Sequence, residues 1–290
     1  MIQMNREIHS VHEARKRRKV SKSPKPLILK WFGWTDRGKV RPNNEDSFLG
    51  LRFDTREVHR LGKFGEASLE TMDFTFAVSD GMGGAQAGEF ASRIAVEKIT
   101  TLLPRAFHHS VSGLQAGFAD VLAELFTQIH RALVFIGQSY DECQGMETTM
   151  SLCWFTPGKM YFGHIGDSRI YHLPAKAKTM RQLTHDDTHV GWLLRQGQIN
   201  EREARTHPRR KILQRALGGG NQFIEPQVGA VVFERGDIFL LCTDGLTEGL
   251  YDGQLVEILR ESEDVARHLV ESSLQNSGCD NTTALVVQVG

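Results

Sequence analysis

Apolar and small residues alternate from Phe74 to Ser79 as FTFAVS, the period of a strand, and the chain then enters the glycine-rich turn Gly81 to Gly84. Beyond it Ala91, Ile94, Ala95, Ile99, Leu102 and Leu103 recur at helical spacing up to Pro104, where a proline opposes further helix. Leu114, Phe118, Leu122, Leu125, Ile129 and Leu133 repeat the spacing, so two consecutive amphipathic helices are predicted. Thr148 to Phe155 and Met160 to Leu173 predict strands joined at Pro157-Gly158, and Asp237 to Cys242 and Thr283 to Val289 predict two more. Strands before and after helices imply layers of both. No internal repeat and no Pro- or Gly-rich linker interrupts the chain between Leu27 and Gly290, so one domain is expected, taken as residues 31–290.

Composition changes this picture little. The 290 residues are 40% hydrophobic and 24% charged, ordinary values for a globular chain long enough to bury a core without disulfides or structural metal. No apolar run approaches the roughly 20 residues of a membrane span, and the basic N-terminus lacks the apolar stretch of a secretory signal. Cys143, Cys153, Cys242 and Cys279 form no C-x-x-C pair, which argues against a zinc site or a disulfide framework and suits a reducing cytoplasm.

Charge is unevenly spread. Lys+Arg and Asp+Glu balance at 35 each, yet residues 1–30 hold nine of the basic residues against two acids, leaving 26 basic and 33 acidic residues in the body. The tail is open to two readings: a disordered, solvated segment, or a docking patch at Arg15 to Lys19 for nucleic acid, anionic lipid or an acidic partner.

The acids of the body carry the candidate chemistry. Asp80 and Asp244 each end a predicted strand and precede a glycine, Asp167 lies within GHIGDSRIYHL, Asp280 opens the last strand, and Glu45-Asp46 sits in RPNNEDS. A lone Asp-Gly is usually a turn, but the recurrence points to a site that only the fold can gather. Carboxylates without clustered His or Cys are hard oxygen ligands, suited to Mg²⁺ or Mn²⁺ rather than zinc or copper. Paired ions of that kind bind and acidify a water and stabilise charge on a phosphoryl group.

RPNNEDS, SDGMGGAQAGE, GMETTM, GHIGDSRIY, LTHDDTHVGWLLRQGQINEREARTHPRRKILQRALGG, LLCTDGLTEG and DNTTALVVQV occur in that order. From Trp34 to Val289 the chain thereby resembles the protein phosphatase 2C family of metal-dependent Ser/Thr phosphatases, in its bacterial form. The resemblance implies an α+β fold, a four-layer αββα sandwich with two central antiparallel sheets flanked by helices. It also implies hydrolysis of phosphoserine and phosphothreonine by in-line attack of metal-activated water, without a phosphoenzyme, in opposition to a Ser/Thr kinase. Asp80 would bridge two Mn²⁺ or Mg²⁺ ions, with the Gly81 carbonyl and Glu45 on one and Asp244 and Asp280 on the other. Asp46 would act directly or through water, and Asp167 would support a third, weaker ion together with Asp244. Arg41 matches the phosphate-binding arginine, a role that suits a planar guanidinium. The implied protein is a cytoplasmic monomer whose partners are phosphorylated Ser/Thr proteins and a cognate kinase.

Two positions depart from the family pattern. Met82 stands where many eukaryotic members carry a histidine taken as the leaving-group acid, and Glu147 stands where the pattern commonly has glycine. Residues 184–217 resemble the variable flap beside the active site, and a plain solvated helical segment is the alternative. His185, His189 and His207 lack tight ligand spacing and are expected at the surface. Gly33 to Lys39 begins like a P-loop, but Val40 replaces the required Ser/Thr and Pro42 opposes the helix, so nucleotide binding is rejected. The rival functions are a non-catalytic phosphoprotein- or nucleic-acid-binding module and a phosphatase serving a sigma-factor switch.

Overall fold

Three hydrophobic clusters account for the layers of the computed structural model, which describes residues 26–83, 87–111, 117–220, 223–261 and 263–290. The basic patch Arg15 to Lys19 lies outside these residues. In the first half of the chain come β1 (Ile28–Asp36), β2 (Asp46–Phe53), β3 (Val58–Arg60), β4 (Phe64–Ser68), β5 (Asp73–Met82), α1 (Ala87–Val111) and α2 (Phe118–Ser139). β6 (Glu147–Thr148), β7 (Met150–Thr156), β8 (Lys159–Ile165), β9 (Arg169–Leu173) and β10 (Arg181–Gln182) follow. The remainder is α3 (His189–Arg195), α4 (Glu201–Thr206), β11 (Leu217–Gly218), β12 (Gln227–Val232), β13 (Ile238–Cys242), α5 (Asp244–Gly249), α6 (Asp252–Glu261), α7 (Val265–Asn276) and β14 (Thr282–Val289).

One sheet has the order β10-β9-β13-β14-β1-β4, and the other runs β11-β6-β5-β7-β8-β12 with β2 and β3 attached to β5. All paired strands are antiparallel. Alternation along β5 sends Phe74, Phe76 and Val78 into the space between the sheets, where they meet Trp31, Phe239, Leu285 and Val287 of the other sheet. Ala77 of β5 faces the other way, into a cluster with Ala91 and Ile99 of α1 and Leu122 of α2. Across the molecule Leu240, Ala284 and Val286 pack against Leu255 and Leu259 of α6 and Leu269 of α7. Helices thus cover the outer face of each sheet, giving the expected αββα sandwich. Because both faces of β5 and β14 are covered, these strands are buried almost throughout.

Three sequence expectations need correction. The first helix does not stop at Pro104 but continues to Val111, so the proline is carried inside the helix at the cost of one backbone hydrogen bond. Met160 to Leu173 is not one strand: it breaks at Gly166, whose φ is 108°, so that β8 stays in one sheet while β9 crosses to the other. Asp167 therefore sits in a crossover, outside both strands. β1 also begins at Ile28, taking in three residues that the sequence boundary left to the tail. The flap holds the two short helices α3 and α4, and residues 33–36 of the P-loop-like segment belong to strand β1.

Candidate metal centre

The site lies where strand ends from both sheets meet. Asp46 and Asp80 are register partners across β2 and β5, Asp244 opens α5 directly after β13, and Asp280 precedes β14, which pairs with β13. A cleft of about 400 Å³ is lined by Arg41, Glu45, Asp80, Gly81, Asp167, Asp244 and Asp280. The remaining predicted residue, Asp46, is buried outside this wall. Its Oδ2 accepts hydrogen bonds from Thr243 Oγ1 at 2.8 Å and Thr283 Oγ1 at 2.7 Å.

Local sequence explains how each acid is held. The GMETTM segment grips Asp80: its backbone N–H donates to Thr149 Oγ1 at 3.0 Å, and its carbonyl accepts from Thr149 N at 2.9 Å and Thr148 Oγ1 at 2.7 Å. Gly81 must lack a side chain, since a Cβ there would stand 1.9 Å from the Gly88 carbonyl oxygen. The same close approach seats Glu45, whose Oε1 would lie 2.8 Å from a Cβ on Gly88. Glu147 is accommodated without strain, because the positive φ of 71° belongs to Gly145 and Glu147 is an extended residue of β6.

Burial and crowding disturb these acids strongly. Burial, together with the charges of Asp244 and Asp280, lifts Asp46 to about 7 against its two threonine hydrogen bonds, and burial lifts Asp244 to about 6. Asp80 and Asp167 are pushed well above the usual carboxylate range, chiefly by burial and then by neighbouring aspartates, and burial raises Glu45. Asp280 moves the other way: burial pushes it up, but hydrogen bonds and charge from Lys211 and Arg41 outweigh that and hold it low. Arg41 clamps it through Nε to Oδ1 at 2.7 Å and Nη2 to Oδ2 at 3.0 Å.

Two buried carboxylate oxygens, Asp46 Oδ1 and Asp244 Oδ1, have no hydrogen-bond donor. Such an atom costs about 1–3 kcal/mol unless something compensates it. Hard oxygens that lack donors, crowded by other acids, fit a divalent cation such as Mg²⁺ or Mn²⁺. Among the described residues no three of these groups already close on one point. Arg41 and Lys211 supply positive charge at Asp280.

Four contributors escaped the sequence reading. Thr243 and Thr283 fix Asp46. Asn281 Oδ1 accepts from Glu45 N at 2.8 Å while its Nδ2 donates to the carbonyls of Arg37 and Asn43, clamping the loop that carries Arg41. Lys211 reaches in from the flap. Each lies inside a quoted motif (Thr243 in LLCTDGLTEG, Asn281 and Thr283 in DNTTALVVQV, Lys211 in the flap run), but none has a signal that singles it out there. The histidines stay off the cleft wall: His185 is exposed, and the half-buried His189 and His207 meet Trp192 and Arg209 N.

A family model described as protein phosphatase 2C matches residues 64–278. The chain belongs to the protein phosphatase 2C family. It is 33% identical over 269 residues to the serine/threonine protein phosphatase PstP of Mycobacterium tuberculosis, covering 91% of this chain and 45% of that one. It is 32% identical over 258 residues to the serine/threonine phosphatase stp of Listeria innocua, covering 88% of this chain and 93% of that protein. The chain thus spans less than half the length of the mycobacterial relative and nearly all of the Listeria one. Among solved structures, the catalytic domain of PstP in complex with two manganese ions superposes with a TM-score of 0.70 at 29% identity, covering 91% of this chain and 99% of that one. The S. agalactiae serine/threonine phosphatase gives 0.73 at 26% identity, covering 90% of this chain and 100% of that one. In this protein phosphatase 2C chain the family segment includes Asp80, Asp167 and Asp244, while Arg41, Glu45, Asp46 and Asp280 flank it.

Proposed function

We propose that the chain is a metal-dependent phosphatase of phosphoserine and phosphothreonine in proteins, opposing a Ser/Thr kinase. The donor-less buried oxygens of Asp46 and Asp244 beside the acid-lined cleft carry this reading. The manganese-containing relative supports it. Asp80, the Gly81 carbonyl, Glu45, Asp244 and Asp280 would hold two Mn²⁺ or Mg²⁺ ions, with Asp46 acting on them directly or through water and Asp167 with Asp244 serving a third. Bound there, the ions supply positive charge that acidifies water and offsets charge on the phosphoryl group.

Arg41 is the residue for the phosphate itself. Its guanidinium already forms a two-pronged clamp on Asp280, is partly exposed, and can turn the same fork onto two phosphoryl oxygens. Met82 lines the cleft but has no proton to give, so the leaving alcohol takes its proton from water or another group. Among the described residues no helix is long and apolar enough to cross a membrane. We place the protein in the cytoplasm as a monomer, with its basic N-terminal residues available to an acidic partner or nucleic acid.

The test is phosphate release from a phosphothreonine peptide with Mn²⁺, Mg²⁺ or EDTA, for wild type and Asp244→Asn. Turnover abolished by EDTA and reduced at least about a hundredfold by the substitution is expected. A folded, metal-loaded wild type that releases no phosphate would overturn the reading.

A further inference from the structure

Every lone pair of Asp280 is in use. Its Oδ1 accepts from Arg41 Nε at 2.7 Å and from Asn281 N at 3.0 Å, and its Oδ2 accepts from Arg41 Nη2 at 3.0 Å and Lys211 Nζ at 2.5 Å. A carboxylate offers about four such positions, so no cation can add to Asp280 until a present donor leaves. Lys211 is the donor whose other contacts resemble those of an ion. Its ammonium also lies 2.9 Å from Glu248 Oε1 and 3.8 Å from Asp244 Oδ2, so three carboxylates surround one positive charge.

The lysine arrives from the flap, and the flap is strapped to the helix that begins with Asp244. Arg205 donates to the carbonyls of Thr247 at 2.7 Å and Leu250 at 3.1 Å, and Arg210 Nη2 stands 3.6 Å from Glu248. These contacts deliver Lys211 to the Asp244–Asp280 side of the cleft. Its stem is long and its head compact, so the head can leave without unfolding the turn that carries it.

We infer that Lys211 sets the divalent-ion affinity of the Asp244–Asp280 side of the centre, because its ammonium occupies the lone pairs and the negative charge that an ion there requires. This rests on the metal-centre reading above. Ion binding on this side is an exchange in which Lys211 leaves, and removing the ammonium strengthens binding by the factor that one charge-assisted contact carries, at least about tenfold. A positive charge retained at the same position keeps the competition.

The experiment titrates the full chain with Mn²⁺ by calorimetry in wild type, Lys211→Met and Lys211→Arg. In parallel, the acylation rate of Lys211 in wild type is followed by mass spectrometry with and without Mn²⁺. Expected are an unchanged tighter site, a weaker site tightened at least about tenfold in Lys211→Met but not in Lys211→Arg, and faster acylation of Lys211 once Mn²⁺ is present. Thermal melts accompany each variant, and Lys211→Gln takes the comparison should Lys211→Met not fold. Unchanged affinities in the folded neutral variant, or acylation indifferent to Mn²⁺, would overturn this inference alone. No Mn²⁺ binding by wild type or variant would overturn it together with the metal-centre reading.

Discussion

Replacing Asn281 by alanine removes three hydrogen bonds that tie the start of β14 to the loop ahead of β2: from Glu45 N at 2.8 Å, and to the carbonyls of Arg37 at 2.8 Å and Asn43 at 2.9 Å. Asn281 is buried, whereas Arg37 and Asn43 are exposed residues whose carbonyls water can reach. Those two bonds are therefore discounted below the usual 1 kcal/mol or so each, and the Glu45 amide accounts for most of the loss. The sum is about 2 kcal/mol, which for a domain of this size lowers the melting temperature by about 4–8 °C. Catalysis should suffer more than stability, because the freed loop carries Arg41 and Glu45. A fall in kcat/KM of at least about tenfold on a phosphothreonine peptide is expected from misplacing a group that acts in the transition state.

Asn281→Asp sharpens the test. It keeps an acceptor for Glu45 N but turns the two donors into a lone-pair-bearing oxygen facing two carbonyls, and it adds negative charge beside Asp280. It should melt no higher than Asn281→Ala. Differential scanning calorimetry and steady-state kinetics on the three proteins decide the matter. An alanine variant that melts within about 1 °C of wild type and keeps its kcat/KM would refute the clamp.

Stability without metal should fall as pH rises from 6.5 to 8. Asp46, at about 7, binds a proton in the folded state that its unfolded form has lost, so the favourable contribution present below the unfolded value of 3.8 disappears as pH passes about 7. Asp80 and Asp167 are raised too and act in the same direction. His164, lowered by burial, opposes this slope only below the ordinary histidine value of 6.5, which is why the window starts there. Thermal melts in EDTA should show the decline, Mn²⁺ at pH 8 should reverse it and Asp46→Asn should lessen it; a flat or rising profile contradicts the assignment. Gly81→Ala should push α1 away from β5, since its Cβ would lie 1.9 Å from Gly88 O and 2.9 Å from Glu45 O. A loss of about 1–3 kcal/mol with weakened Mn²⁺ binding is expected by denaturant titration and calorimetry, and Gly253→Ala, with nothing within 4 Å, serves as the neutral control. Equal behaviour of the two alanine variants would show that the close approach does not matter.

What could be read from the chain and what could not divide along physical lines. The strand at Phe74 to Ser79 was legible because alternation survives burial on both faces: Phe74, Phe76 and Val78 fill the space between the sheets, while Ala77 meets the helices. The break at Gly166 was not, because it comes where that glycine, at φ 108°, closes against Thr149 of another strand segment, and the continuation past Pro104 left no mark in the local sequence. The same division runs through the site. Asp80, Asp244 and Asp280 stand out at predicted strand ends and Asp167 within a predicted strand, since repeated acids there need a compensating charge from somewhere. What compensates them in this structure is invisible locally. Lys211 follows Arg209 and Arg210 in a charge-rich run with the appearance of a solvated face, yet Lys211 alone of the three reaches Asp280, 69 residues away. Thr243, Thr283 and Asn281 are equally plain as letters, and their role comes from the pairing of β13 with β14, which brings both threonines to one oxygen of Asp46. A buried acid advertises its need in the sequence, but the partner that meets it is chosen by the fold.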